Sequence, residues 1–234
     1  MIRYLGGEVC KEVADCTHLI PANGRRSIRL LEAIALGKNI VNCTWICIGY
    51  QKHMFLDTID FFLRDEDQER LLSFNLKRSV LMARQSKIFE DTEFYVTPSV
   101  DPSVPVLRRL IEYSGGRVDD QLPTPQKILR CIETDSPYVI VSNECDLPFV
   151  KHLSDAGITI YNNEFIFMSI LRQAVDPAHP SYHVNPHFGQ VMVQVVRNMP
   201  PQAPPPQHGF IPRPNSLPRP PPPANDYQQR IKAN

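Results

Sequence analysis

The chain has 234 residues, enough for one or two domains, and 42% of them are hydrophobic, which is enough for a real core. Lys plus Arg equal Asp plus Glu, so no bulk field draws the chain to nucleic acid or a membrane surface, and electrostatic recognition has to be local. The six cysteines form no CxxC pair and sit mostly in apolar runs. With no signal peptide and no membrane-length apolar stretch, they predict buried, reduced thiols of an intracellular protein rather than a disulfide framework or a zinc site.

In chain order, Ile2, Tyr4 and Leu5 read as the last turn of a helix, stopped by Gly6-Gly7, after which a strand is expected to begin near Val9. Thr17-His18-Leu19-Ile20 reads as a short buried strand, with His18 a satisfied histidine in or beside it. Next comes Gly24-Arg25-Arg26-Ser27-Ile28-Arg29, a glycine turn that delivers arginines to the start of an apolar helix closed by Gly37. Ser27 is the predicted N-cap. Unpaired first-turn amides, the positive end of the helix dipole, Arg26 and Arg29 then converge on one spot, a recipe for holding an anion, phosphate above all. The plainer reading of that segment alone is a helix that starts with solvated arginines. Lys38 to Asn42 is a second strand, and Thr44 to Tyr50 opens another helix with Thr44 or Asn42 as its cap. Strands alternating with helices over short connections indicate a parallel sheet covered by helices.

That order recurs. Gly37-Lys38-Asn39-Ile40-Val41-Asn42-Cys43-Thr44-Trp45-Ile46 aligns without a gap on Gly157-Ile158-Thr159-Ile160-Tyr161-Asn162-Asn163-Glu164-Phe165-Ile166, and Leu5 to Val9 aligns on Ser114 to Val118. The offset differs between the two matches, so the second copy carries an insertion near Gln121 to Ser136. The second copy also has a strand, Glu93 to Pro98, and a helix, Val104 to Tyr113, ahead of its Gly115-Gly116. The first has no counterpart of either, so it is expected to be N-terminally truncated. Counting back from the matched glycines, Ser27 and Arg29 correspond to Leu147 and Phe149: one copy is basic where the other is apolar.

Between the copies, Asp65, Glu66, Asp67 and Glu69 read as a solvated helix start, and Leu76, Val80 and Ala83 give a stripe able to pack between the units. Beyond Ala174, many of the 23 prolines gather in a tail expected to be disordered with polyproline II character. His179, His183 and His187 are four apart, but Pro180 and Pro186 break any shared helical face, which weighs against a metal site. No GxGxxG, P-loop or G-x-S-x-G is present, so a nucleotide-binding enzyme is disfavoured.

Gly-Gly after the first helix, a buried strand and Trp45 in the third helix resemble the BRCT repeat. A pair joined by a helical linker resembles the tandem BRCT modules of DNA-damage response scaffolds. The carrying strings are Leu5-Gly6-Gly7-Glu8-Val9, Cys16-Thr17-His18-Leu19-Ile20, Arg26-Ser27-Ile28-Arg29, Leu63-Arg64-Asp65, Ser73-Phe74-Asn75-Leu76 and Phe94-Tyr95-Val96-Thr97-Pro98, spread over residues 1 to about 175. The resemblance implies an α/β fold of two units, each a parallel four-stranded sheet flanked by helices. The expected layout is a truncated first repeat over 1–56, a linker with a helix over 57–91, a second repeat over 92–175 and a proline-rich tail over 176–234.

It also implies a nuclear, non-enzymatic scaffold that takes no cofactor and binds a phosphoserine-containing protein or histone tail, without membrane or sequence-specific nucleic-acid contact. A fragment that binds protein without phosphate is the alternative. By resemblance, Arg29 takes the place of a phosphate-binding lysine, and Ser27 that of a hydroxyl residue near the phosphate. Arg26 takes the place of an arginine contacting the peptide main chain or a terminal carboxylate. By the same resemblance, Pro98, Asp101 and Pro102 fall where the second repeat lines the groove that reads the third residue on.

Overall fold

The computed structural model describes residues 1–134 and 136–184. The first unit contains β1 (His18–Leu19), α1 (Ile28–Ala35), β2 (Asn39–Ile40) and α2 (Thr44–Lys52). Two helices follow, α3 (Glu66–Leu72) and α4 (Leu76–Gln85). The second unit runs through β3 (Glu93–Val96), α5 (Val104–Tyr113), β4 (Arg117–Asp119), α6 (Pro125–Glu133), β5 (Tyr138–Val141), α7 (Leu147–Asp155), β6 (Ile160–Tyr161) and α8 (Glu164–Arg172). The strands of each unit pair in parallel: β1 with β2, and β4-β3-β5-β6 in the second sheet.

The second sheet has apolar cover on both faces. All four residues of β5 are buried, as expected of a central parallel strand whose side chains have no solvent face. One face belongs to a core holding Phe94, Leu107 and Phe165; the other packs Ile140 and Ile160 against Ile128, Val150 and Leu153 of α6 and α7. The insertion expected near Gln121 to Ser136 is thus a helix that closes a core.

The first core runs unbroken through both units. Leu30, Leu31, Ala33, Ile34 and Ala35 of α1 are all buried, because α1 lies against α4, α5 and α8. That accounts for a helix with so little polar surface. Glu32, buried with them, accepts from Arg109 Nε of α5 at 3.2 Å. The apolar stripe of α4 packs as its spacing predicts, with Leu76, Val80 and Ala83 buried. The Lys87 ammonium donates to Ala35 O at 2.7 Å and Tyr113 O at 3.0 Å, closing the carboxyl ends of α1 and α5 together, and its burial lowers its pKa. Arg84 donates to Gly37 O and Asn39 Oδ1, each at 2.7 Å, and Arg172 Nε to Leu72 O at 3.1 Å. Gly37 itself has φ +65°, the left-handed conformation expected where it ends α1.

Several expectations are corrected. The helix remnant before Gly6 is a 3-10 turn, Arg3–Leu5, and Glu8-Val9 forms no strand, because no described strand lies beside it to take its hydrogen bonds. Neither Thr44 nor Asn42 caps α2 with its side chain; Cys43 occupies the cap position, and Asn42 Oδ1 is buried without a partner among the described residues. The thiols are not buried: Cys43, Cys47 and Cys145 are exposed, and Cys10, Cys16 and Cys131 half-exposed. Residues 176–184, placed in the tail by composition, pack on the second unit. Tyr182 is buried, and His183 bridges Tyr161. The remainder of the expected tail, and His187, lie outside the described residues.

His18 is satisfied as expected. Its ring stacks on Trp45 with centroids 4.6 Å apart and lies 2.8 Å from Thr17 Oγ1 and 3.3 Å from Asn39 Nδ2; burial lowers its pKa.

Candidate functional site

The arginine turn is held from behind by the segment that leads into α3. Asp65 accepts the Gly24 amide at 3.0 Å and the Gln68 amide at 3.2 Å, so one carboxylate shapes the turn and caps α3. A Cβ on Gly24 would lie 2.4 Å from Asp65 Cβ, so only glycine allows this approach. Ser27 is extended, at φ −135°, and its hydroxyl accepts the Leu30 amide at 3.3 Å, leaving the hydroxyl proton to donate elsewhere. The amides of Ile28 and Arg29 have no acceptor among the described residues. Arg29 is exposed and makes no ion pair among them.

Arg26 takes a different course. Its guanidinium makes a bidentate pair with Glu164, Nη1 to Oε2 at 2.5 Å and Nη2 to Oε1 at 2.7 Å, and lies over the Phe167 ring at 5.2 Å. Both partners stand at the start of α8 in the second unit. Asn163, the residue before Glu164, donates its side-chain amide to the Asp101 carbonyl. Two adjacent residues at the start of α8 therefore join the arginine turn to the loop after β3. Within that loop Pro98 and Asp101 are exposed and Pro102 is half-buried. The geometry thus brings Arg26 and Asp101 together through α8. Ser27 and Arg29 remain on the exposed start of α1, and no contact links them to Pro98 or Pro102 among the described residues.

The second unit fills its own version of this corner. Asp146, the counterpart of Arg26, is buried just before α7. Its carboxylate accepts the Ser99 amide at 2.7 Å, and its own amide donates to Asn143 Oδ1 at 2.9 Å. Asn143 Nδ2 in turn donates to Ser99 O at 2.6 Å, tying the loop after β3 to the loop before α7. Burial alone would raise the Asp146 pKa; donation from Ser99 outweighs it and holds the carboxyl below its ordinary value. The corner between the end of β3 and the start of α7 therefore holds a negative charge, and the charge is the protein's own.

Sequence reasoning missed Glu164, Phe167 and Asp146. An acidic residue at the first position of a helix was a usable signal for Glu164, but nothing local indicates that it faces Arg26, which lies 138 residues earlier in the chain. Among the described residues no group of three or more His, Cys, Asp and Glu side chains could hold a metal ion, and no helix is long and apolar enough to cross a membrane.

The family model for the BRCT domain matches residues 87–181. PAX-interacting protein 1 of Bos taurus is 33% identical over 183 residues, spanning 77% of this chain and 18% of that protein. Mediator of DNA damage checkpoint protein 1 of Rattus norvegicus is 30% identical over 173 residues, 74% of this chain and 13% of that one. The chain thus spans less than a fifth of the length of these curated relatives. Among solved structures, the BRCT5-BRCT6 domains of S. pombe Brc1 match with a TM-score of 0.64 at 22% identity, covering 81% of this chain and 92% of that one. Rtt107p in complex with a phosphorylated histone matches with a TM-score of 0.50 at 14% identity, covering 76% and 79%. At these identities the solved structures establish the tandem architecture.

Proposed function

The chain belongs to the BRCT family, and on that premise we propose that it is a non-catalytic protein-interaction module that holds a phosphoserine-bearing protein or histone tail at the start of α1. The observation that carries this reading is Arg29. It is an exposed cation beside the Ser27 hydroxyl and two first-turn amides without acceptors among the described residues, on a helix whose other side is locked into the core. Guanidinium, hydroxyl and amide donors at a helix start hold an anion without transforming it. The internal precedent is Asp146, a carboxylate held at the matching corner of the second unit.

In this reading Arg26, fixed by Glu164 and Phe167, forms the wall between phosphate and groove, and Pro98, Asp101 and Pro102 line the groove. The relatives support a role in the DNA damage response in the nucleus, since one is by name a mediator of a DNA damage checkpoint and a structural neighbour was solved with a phosphorylated histone.

Serine peptides differing only in phosphorylation test the proposal, by calorimetric titration of the full chain. The phosphorylated form is expected to bind at least about tenfold tighter, about 1.4 kcal/mol, and Arg29→Glu to abolish the difference. Equal affinity for both forms, or no effect of Arg29→Glu, overturns it.

A further inference from the structure

Residues 10 to 16 fold back on themselves ahead of β1. Val13 is buried and anchors the turn, and the Asp15 and Cys16 amides donate to Glu12 O at 3.3 Å and Val13 O at 3.2 Å, reversing the chain. Cys10 and Cys16 stand at the two ends of this reversal. The Cys10 thiol donates to Asp15 O at 3.5 Å and the Cys16 thiol to Glu12 O at 3.2 Å. The Cys10 sulfur therefore lies against the Asp15–Cys16 peptide, on the same turn as the second thiol. Lys38 Nζ donates to Ala14 O at 2.8 Å, holding the turn onto the first unit. Both cysteines are half-exposed, so a small oxidant can reach them.

We propose that Cys10 and Cys16 form a modification site, a thiol pair that a low-molecular-weight disulfide such as oxidised glutathione converts to an intramolecular disulfide. The exchange balances in two steps. Cys10 loses its proton and attacks one glutathione sulfur, forming a mixed disulfide and releasing the first glutathione as thiol. Cys16 then gives up its proton and attacks the Cys10 sulfur, forming the Cys10–Cys16 bond and releasing the second glutathione. Two protein thiols are oxidised and one glutathione disulfide is reduced. Burial and the neighbouring Cys10 raise the Cys16 pKa, which makes Cys16 the poorer first attacker and leaves it the second step, an attack within the same turn. Of the other cysteines, Cys43 and Cys47 are exposed at the start of and within α2, and Cys131 and Cys145 lie in the second unit.

The test uses the full chain, reduced, desalted and equilibrated with excess oxidised glutathione, then alkylated and read by mass spectrometry. Cleavage after Lys11 separates Cys10 from Cys16, so the bond appears as two peptides joined through those residues and parted by reductant. That cross-link is the expected result. Cys16→Ser is expected to stop at a glutathione adduct on Cys10, which shows the intermediate without relying on the folding of a double variant. Recovery of Cys10 and Cys16 as alkylated thiols, or a disulfide formed by other cysteines while these two stay reduced, overturns the proposal.

Discussion

The two units share a path from a glycine turn through a parallel strand to a helix, although one sheet has two strands and the other four, and they differ sharply at one corner. In the second unit that corner is shut. Asp146 accepts the Ser99 amide of the loop after β3, and the helix that follows begins with Leu147 and Phe149. In the first unit the counterpart of Asp146 is Arg26, which turns away to Glu164, and the helix begins with Ser27 and Arg29. Reversing one charge removes the internal anion and leaves donors facing outward. The difference teaches that one corner of this fold can hold a carboxylate of the protein itself, and under the proposed function the same corner of the first unit, with its charge reversed, takes an external anion instead.

The largest test of the comparison concerns the cores. Ile160 and Ile40 are matched positions, each fully buried, but Ile160 packs into a four-stranded sheet with cover on both faces and Ile40 into a two-stranded one. Ile160→Ala is expected to cost about 3–5 kcal/mol and Ile40→Ala less, about 2–3 kcal/mol, by denaturant titration. Equal costs would mean that sheet width does not matter here.

Next in size is the corner itself. Asp146→Ala leaves the Ser99 amide without its acceptor and is expected to lower stability by about 1–3 kcal/mol. Its counterpart Arg26→Ala, which breaks a partly exposed pair, should cost about 1 kcal/mol. If the order reverses, Asp146 is not an internal ligand of the kind described. Phe149→Glu, at the position matching Arg29, should leave stability within about 0.5 kcal/mol and phosphopeptide affinity unchanged, because Phe149 is 62% exposed. A loss of affinity there would place recognition in the second unit.

The smallest expected effect is a pH dependence. Burial holds His18 below its ordinary value of 6.5, so as pH falls the unfolded chain takes up this proton before the folded one. Its contribution is complete above the unfolded pKa and declines as pH falls through that value. His18→Asn should flatten the stability profile between about pH 7.5 and about pH 5. An unchanged slope would assign the acid sensitivity to other groups.

Much of the frame was legible from local pattern. The ranges of α5 and β3, the Ser27 cap, the Gly37 stop and the buried stripe of α4 follow from periodicity and capping chemistry, which act over a few residues. The strand expected near Val9 failed because a strand exists only with a neighbour. The burial expected of the cysteines failed because an apolar neighbourhood in sequence does not fix which face of a turn or helix a side chain occupies: Cys43 and Cys47 stand on the outer side of α2, whereas Trp45 of the same helix is buried.

The segment from Gly24 to Arg29 divides the same way. Chain order alone determined that a helix begins there, which residue caps it and that three cations gather around it, because those depend on spacing along one backbone. Only tertiary structure decided their separate fates. Arg26 is drawn out of the cluster by a carboxylate 138 residues away and Asp65 braces the turn from 41 residues away, while Arg29 is left exposed. Such pairings arise from the docking of α1 against α8 through a shared apolar core, and hydrophobic contact sets which distant charges meet without any trace in their local sequence.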